Sequence, residues 1–174
     1  MPDDLNPRIR IGVLSDTHLP DSTEAHDFLR CLVEDVLAPV DLILHAGDLV
    51  SPVLLDAFYD YPFHAVRGNM DPASKGIPYK KVIHVNKFSI GLIHGWGPVA
   101  GLEARVQDEF AGTPIDCLVY GHSHRPVCHR HNGILFFNPG SATDKRGMDY
   151  HSVGLLDIAD EIRGTIIRLD TSGL

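Results

Sequence analysis

The stretch VDLILHAGD, Val40 to Asp48, runs apolar from Leu42 to Leu44, breaks at Gly47 and ends on an acid. A short apolar run closed by glycine reads as a strand buried on both faces. The same pattern stands upstream in RIRIGVLSD, Arg8 to Asp16, and downstream in FHAVRGN, Phe63 to Asn69. Between the first two runs lies STEAHDFLRCLVEDVL, whose Phe28, Leu29, Leu32, Val33, Val36 and Leu37 recur at helical spacing. That spacing predicts an amphipathic helix, with Ser22 or Thr23 as its cap. PVLLDAFYD, from Pro52, predicts a second helix before the third strand. Strands alternating with helices imply right-handed crossovers and a parallel sheet.

The second half changes character. KVIHV and FSIGLIHG are strands separated only by Asn86 and Lys87, the mark of a hairpin. A helix in PVAGLEARVQDEF and a strand in DCLVYGH return to the earlier pattern. PVCHRHNGILFFNPGS then turns at Asn132-Gly133, a strong type I′ signal. HSVGLLDI and IRGTIIRLD close the chain as two more antiparallel strands. The expected fold class is α/β: two mixed β-sheets packed face to face with helices outside, a four-layer αββα sandwich.

Length and composition set bounds. The 174 residues, 44% of them hydrophobic, suit one domain spanning residues 1–174 with its core from about 9 to 169. A formal charge of −8 argues against adhesion to nucleic acid or anionic lipid, both of which need clustered Lys and Arg. Any anionic substrate therefore needs a local positive source. Cys31, Cys117 and Cys128 form no Cys-x-x-Cys pair, so neither a disulfide framework nor a thiolate zinc site is indicated. No apolar run approaches the roughly 18 residues needed to span a membrane, and the start has no apolar signal core. A soluble, cytoplasmic protein is expected, with homo-oligomers left open.

The candidate ligands all fall just past the C-terminal ends of expected strands, where open α/β sheets build their sites. They are Asp16 and His18 in SDTH, Asp48 in AGD, Asn69 in RGNMD, His94 in LIHG, and His122 and His124 in YGHSH. Singly, each has an ordinary explanation: an aspartate can organise a turn, an asparagine can take a left-handed loop position, and a lone histidine is usually a surface or satisfied core residue. Five strand ends delivering oxygen or imidazole together point to metal. The i, i+2 spacing of Asp16 with His18, and of His122 with His124, would turn both side chains of an extended segment to one side. Asp48, having two oxygens, can bridge two cations roughly 3.5 to 4 Å apart. Two divalent ions would outweigh the charges of Asp16 and Asp48, bind a phosphate and acidify a bridging water to hydroxide. Nitrogen and oxygen ligation without cysteine suits manganese first, with iron, cobalt, zinc or nickel as alternatives, better than calcium.

DTH, GD, GNMD, HG and GHSH, in this order, resemble the calcineurin-like metallophosphoesterase superfamily, and within it the small single-domain YfcE-type phosphodiesterases. The similarity runs from Ile11 to Ser141 and includes LILHAGD and NPGSAT. It implies one metal held by Asp16, His18, Asp48 and His124 and another by Asp48, Asn69, His94 and His122, with Asp48, Asn69 and His94 bearing on catalysis. The implied activity is hydrolysis of a small-molecule phosphodiester by a metal-bridging hydroxide. The same resemblance admits a non-enzymatic alternative, a protein-interaction scaffold like the retromer subunit Vps29, for which lost ligands would be the mark. All seven positions are filled. A nuclease is disfavoured by the small size and net acidity.

Two positions depart from the family pattern. Met70 follows Gly68-Asn69, where related enzymes carry His or Cys, and Trp96 follows HG, where His is common. Met70 can donate no proton to a leaving group, so it either packs against substrate or fills an apolar gap, and Asp71 or water is left as the proton source. His45 is expected to support the Asp48 loop, and Asn138 and Ser141 to orient the ligand loops. His26, His64, His84, His129, His131 and His151 follow no ligand spacing. Lys145 and Arg146 could meet a phosphate or simply be solvated.

Overall fold

The computed structural model describes residues 7–73 and 76–169. Its first sheet joins β1 (Ile9–Leu14), β2 (Leu42–His45) and β3 (Phe63–Ala65) in parallel, and β9 (His151–Ile158) and β10 (Ile162–Leu169) extend it on the other side of β1. The second sheet takes the order β4 (Lys80–Val85), β5 (Phe88–Ile93), β6 (Cys117–Val119), β8 (Ile134–Asn138), β7 (Val127–His131). There β5, β6 and β8 are parallel while β4 and β7 pair antiparallel at the edges.

Period-two alternation sorts the strand side chains into three apolar layers. Ile11, Val13, Leu42 and Leu44 of the first sheet meet Ile90, Leu92, Val119 and Phe137 of the second. On the first sheet's outer face, Leu14 and Ile43 pack with Leu29, Leu32, Leu37, Leu54 and Phe58. On the second sheet's outer face, Ile93, Leu118 and Phe136 pack with Leu102 and Val106. Three apolar interfaces define four layers, so the αββα sandwich holds. Each fully buried Leu, Ile or Phe contributes on the order of 1.5–3 kcal/mol of transfer free energy.

The helices are shorter and less regular than their periodicity predicts. Helix α1 (Thr23–Cys31) is capped by Ser22, whose hydroxyl accepts from the Ala25 N–H at 3.1 Å. It runs on as a π-type segment, Leu32–Leu37, which still buries Leu32, Val33 and Leu37. PVLLDAF forms a 3₁₀ helix, Pro52–Phe58, and α2 covers only Leu102–Asp108. Both hairpins form as expected, with Asn132 and Gly133 at φ 49° and 84° as a type I′ turn demands. No helix among the described residues is long and apolar enough to cross a membrane. Because β1, β2 and β3 run in parallel, as do β5, β6 and β8, the loops after each set collect at one edge, and those loops carry the candidate ligands.

Candidate metal centre

Asp16 and Asp48 meet at the centre of that edge, both buried. Each carboxylate has one oxygen tied down and one turned inward. Asp16 Oδ2 accepts from the Ser15 hydroxyl at 2.7 Å and the His122 N–H at 3.0 Å, and Asp48 Oδ1 accepts from the Met70 N–H at 2.8 Å. The inward atom Asp16 Oδ1 lies 3.3 Å from His124 Nε2 and 3.8 Å from both His18 Nε2 and His94 Nε2. Asp48 Oδ2 stands 3.3 Å from His94 Nε2 and 3.6 Å from His18 Nε2. Two donor groups result, Asp16–His18–His124 and Asp16–Asp48–His94, each with its atoms within 4.8 Å of one another.

Hydrogen bonds behind the ring present these atoms correctly. His94 Nδ1–H donates to the Ala46 carbonyl at 2.8 Å, leaving the Nε2 lone pair to face Asp48. His124 Nδ1 is bonded in the same way to the Asp144 carbonyl. Asp16 Oδ1 and His94 Nε2 are nevertheless buried without a hydrogen-bond partner among the described residues. An orphaned carboxylate oxygen and an orphaned imidazole nitrogen aimed at one point are costly unless a cation completes them. The donor set therefore fits divalent metal. Although burial pushes its pKa upward, the adjacent imidazoles of His124, His18 and His94 hold Asp16 well below the usual carboxylate range. Burial works against charge on His94 and His124 as well, but the adjoining Asp48 and Asp16 raise both above the ordinary imidazole value.

The expected reason for the i, i+2 spacing does not hold. Asp16, His18, Asp48, His122 and His124 all have left-handed backbone, with φ between 45° and 69°, so the loops are tight turns and not extended segments. Such φ values are strained for residues other than glycine and cluster where function over-determines the backbone. His122 and His124 accordingly diverge. His124 enters the cluster, whereas the His122 ring nitrogens lie 3.2 Å from Asn69 Oδ1 and 2.7 Å from the Gly97 carbonyl. His122 stands edge-on to His94 at 5.4 Å between ring centroids. The fold thus converges Asp16, His18, Asp48, His94 and His124 and leaves His122 and Asn69 paired beside them.

Two glycines permit this closeness. A Cβ at Gly68 would lie 2.1 Å from Asp48 Oδ1, and one at Gly121 would lie 1.9 Å from the Ser15 hydroxyl. Asp71, left by the sequence as a proton source, is engaged otherwise, since its carboxylate accepts backbone N–H from Asp48 (2.9 Å), Gly68 (2.7 Å) and Val50 (2.6 Å). An acceptor so engaged clamps two ligand loops together and is poorly disposed to donate a proton. The only sequence signal for it is an aspartate three residues after a loop glycine, a turn-closing pattern. Met70 fills no apolar gap, since it is 57% exposed. Asn138 donates to the Gly121 carbonyl at 2.9 Å, and the Ser141 hydroxyl to the Asp16 carbonyl at 2.7 Å. His45, buried, accepts from the Gly47 N–H at 3.2 Å and reaches the Thr17 hydroxyl at 3.1 Å. Burial holds its pKa down at about 4, the nearby acids notwithstanding, so it is neutral.

The chain matches the family model of the calcineurin-like phosphoesterase superfamily domain over residues 9–161. It is 35% identical over 164 residues to a protein of Methanocaldococcus jannaschii named a probable metallophosphoesterase, covering 92% of this chain and 81% of that one. A solved archaeal phosphodiesterase shares the fold with a TM-score of 0.72 at 21% identity, over 92% of this chain and all of the other. Entamoeba histolytica Vps29 in complex with zinc shares it with a TM-score of 0.62, also at 21% identity, over 93% of this chain and all of that one. With the family model reaching across both sheets and every ligand-bearing loop, the chain belongs to the calcineurin-like phosphoesterase superfamily.

Proposed function

We propose that this protein is a divalent-metal-dependent phosphodiesterase with a dinuclear site. The observation that carries the reading is the pair of buried, partnerless atoms, Asp16 Oδ1 and His94 Nε2, at the centre of the donor cluster. The two donor groups share Asp16, and Asp48 Oδ2 lies near both His18 and His94, one histidine from each group. On this reading Asp16, His18, Asp48 and His124 hold one, and Asp48, Asn69, His94 and His122 the other. The nitrogen and oxygen donors suit manganese, with iron, cobalt, zinc or nickel as alternatives. When bound, such ions supply the charge that offsets phosphate and the acidified water that attacks it.

The chain's own residues do the rest. With Oδ1 engaged by the Met70 N–H, Asp48 turns Oδ2 inward, and that atom lies near both His18 and His94. The bond from His94 to the Ala46 carbonyl keeps its Nε2 turned inward throughout. On this reading Asn69, exposed at the rim, serves the second cation on the side that substrate would approach. A diester is favoured over a monoester because Met70 offers the leaving group no proton. The net charge of −8 favours a small-molecule ester over a nucleic acid polymer.

The test is turnover of chelator-stripped protein, reconstituted with each metal in turn, on an aryl phosphodiester and the matching monoester. Restoration by metal with preference for the diester supports the proposal. Absence of turnover with every metal, despite metal uptake, would favour the scaffold reading, to which the structural likeness to Vps29 gives weight.

A further inference from the structure

We propose that the cleft of Arg67, Tyr79 and Trp96 beside the donor cluster is a nucleobase subsite, and that the substrate is a phosphodiester carrying a nucleoside. This rests on the phosphodiesterase reading and names its substrate class. The cleft has a volume of about 280 Å³ and includes Asn69 and Gly95 in its wall. It adjoins the donor cluster: Asn69 is bonded to His122, and Gly95 directly follows His94.

Trp96 and Tyr79 are the feature that needs an occupant. They are 36% and 39% exposed, with ring centroids 6.2 Å apart and planes tilted by 45°. The two rings are tilted and do not stack face to face, so each keeps exposed surface in the cleft. The Trp96 loop is also held in place. From α2, Arg105 donates to the Trp96 carbonyl at 2.9 Å and the Ala100 carbonyl at 3.0 Å, while His122 meets the Gly97 carbonyl at 2.7 Å. A platform anchored from both sides costs little ordering when a ligand arrives.

Arg67 decides what kind of ring. Exposed aromatic faces take either flat rings or quaternary ammonium groups. Arg67, which lines the same cleft, disfavours a cation by its charge, and its side chain can supply donors to the acceptor edge of a base. No carboxylate pairs with it among the described residues, and the neighbouring Asp71 is taken up by three backbone N–H groups. A base stacked on Trp96 would then leave its phosphate directed toward Asn69 and the donor cluster.

Trp96 is the chain's single tryptophan, so the cleft contains its own reporter. Protein reconstituted with zinc, and protein kept in chelator, would each be titrated with adenosine 5′-monophosphate and with ribose 5-phosphate while tryptophan fluorescence is followed. The zinc-loaded protein should show saturable quenching by the nucleotide at concentrations at least about tenfold below any response to the sugar phosphate. Tyr79→Leu, which keeps the reporter, should raise the nucleotide Kd about 5- to 150-fold, the span of base–aromatic stacking. Identical curves for the two ligands, or an unchanged Kd in Tyr79→Leu, would overturn the subsite. Turnover of a nucleoside 4-nitrophenyl phosphate against methyl 4-nitrophenyl phosphate, which share a leaving group, separates the two readings. Hydrolysis of both with equal KM would remove the subsite and leave the phosphodiesterase. Base-dependent quenching without turnover of either would keep the subsite and remove the phosphodiesterase.

Discussion

Met70 serves Asp48 through its backbone: its N–H donates to Asp48 Oδ1 at 2.8 Å while its thioether points out and is 57% exposed. The position after Gly68-Asn69 therefore has two separable parts. Any residue except proline supplies the N–H, and the side chain is free to vary. An inert thioether is tolerated there because the ligand-orienting bond never depended on it.

Met70→His should keep metal content and fold while adding a group that titrates near neutrality at the rim. If that group reaches the leaving oxygen, esters with basic alkyl leaving groups should gain at least about tenfold, within the range of a general acid, and activated aryl diesters should change little. Met70→Pro removes the N–H and should cost about 1.5–3 kcal/mol, the worth of a hydrogen bond to a charged group, together with metal affinity. Rates across a leaving-group series, with metal content matched, check both. An unchanged slope in Met70→His would mean that any proton comes from elsewhere.

Asp71→Asn tests the clamp. Asparagine keeps one acceptor oxygen but turns an amide N–H₂ toward backbone N–H groups of Asp48 and Gly68 or of Val50, which Asp71 now accepts. Stability of the metal-free protein should fall by about 2–4 kcal/mol. Metal affinity should drop about 10- to 100-fold, as when groups orienting ligands are removed. Chemical denaturation and competition with a chelator measure the two. A variant with normal stability and metal binding but altered pH dependence of turnover would restore Asp71 to the role of proton source.

The strands and their order of appearance are legible because the runs through Ile11, Val13, Leu42 and Leu44 are apolar on both faces and break at loop residues. Ligand identities are legible because each follows a strand end, and parallel strands bring their ends to one edge. Backbone conformation is not. Asp and His take positive φ more often than most residues but still only occasionally, so the spacing of Asp16, His18 and His124 suggests an extended loop and hides the divergence of His122 from His124. Asp71 is hidden too, because an aspartate that accepts three backbone bonds and one that donates a proton look alike in sequence. Tyr79 lies far from Trp96 along the chain, and only the packing of two loops makes them neighbours.

His45 should make stability fall with acid. Its folded pKa is about 4, below the ordinary 6.5, so the unfolded chain takes up the proton first. Stability from this group is full above about pH 6.5, declines as pH falls toward about 4, and is constant below that. At about 1.4 kcal/mol per pH unit the loss reaches up to about 3 kcal/mol. His45→Gln, which retains an acceptor and a donor without titrating, should flatten that part of the profile. The check is the difference in denaturation free energy between wild type and variant, both metal-free, from pH 7.5 to 4. Parallel profiles would show that His45 is not the group.

His122 and His124 should fail differently. His124 is buried, with Nε2 3.3 Å from Asp16 Oδ1 and its other nitrogen bonded to the Asp144 carbonyl. His124→Ala therefore leaves Asp16 facing a void and removes a neighbour that helps hold its charge, so one metal should be lost and stability lowered. His122 instead bonds to Asn69 and to Gly97 on the Trp96 loop. His122→Ala should leave the Asp16–His18–His124 group intact, weaken the metal assigned to Asn69 and His94, and loosen Trp96. Metal stoichiometry by elemental analysis, read beside the fluorescence of Trp96, distinguishes the two variants. One metal should remain in each, but the emission of metal-free protein should shift only in His122→Ala. Loss of the same single metal from both, with unchanged emission in both, would mean that one mononuclear site is gripped by the pair, and the assignment of His122 to a second cation would fall.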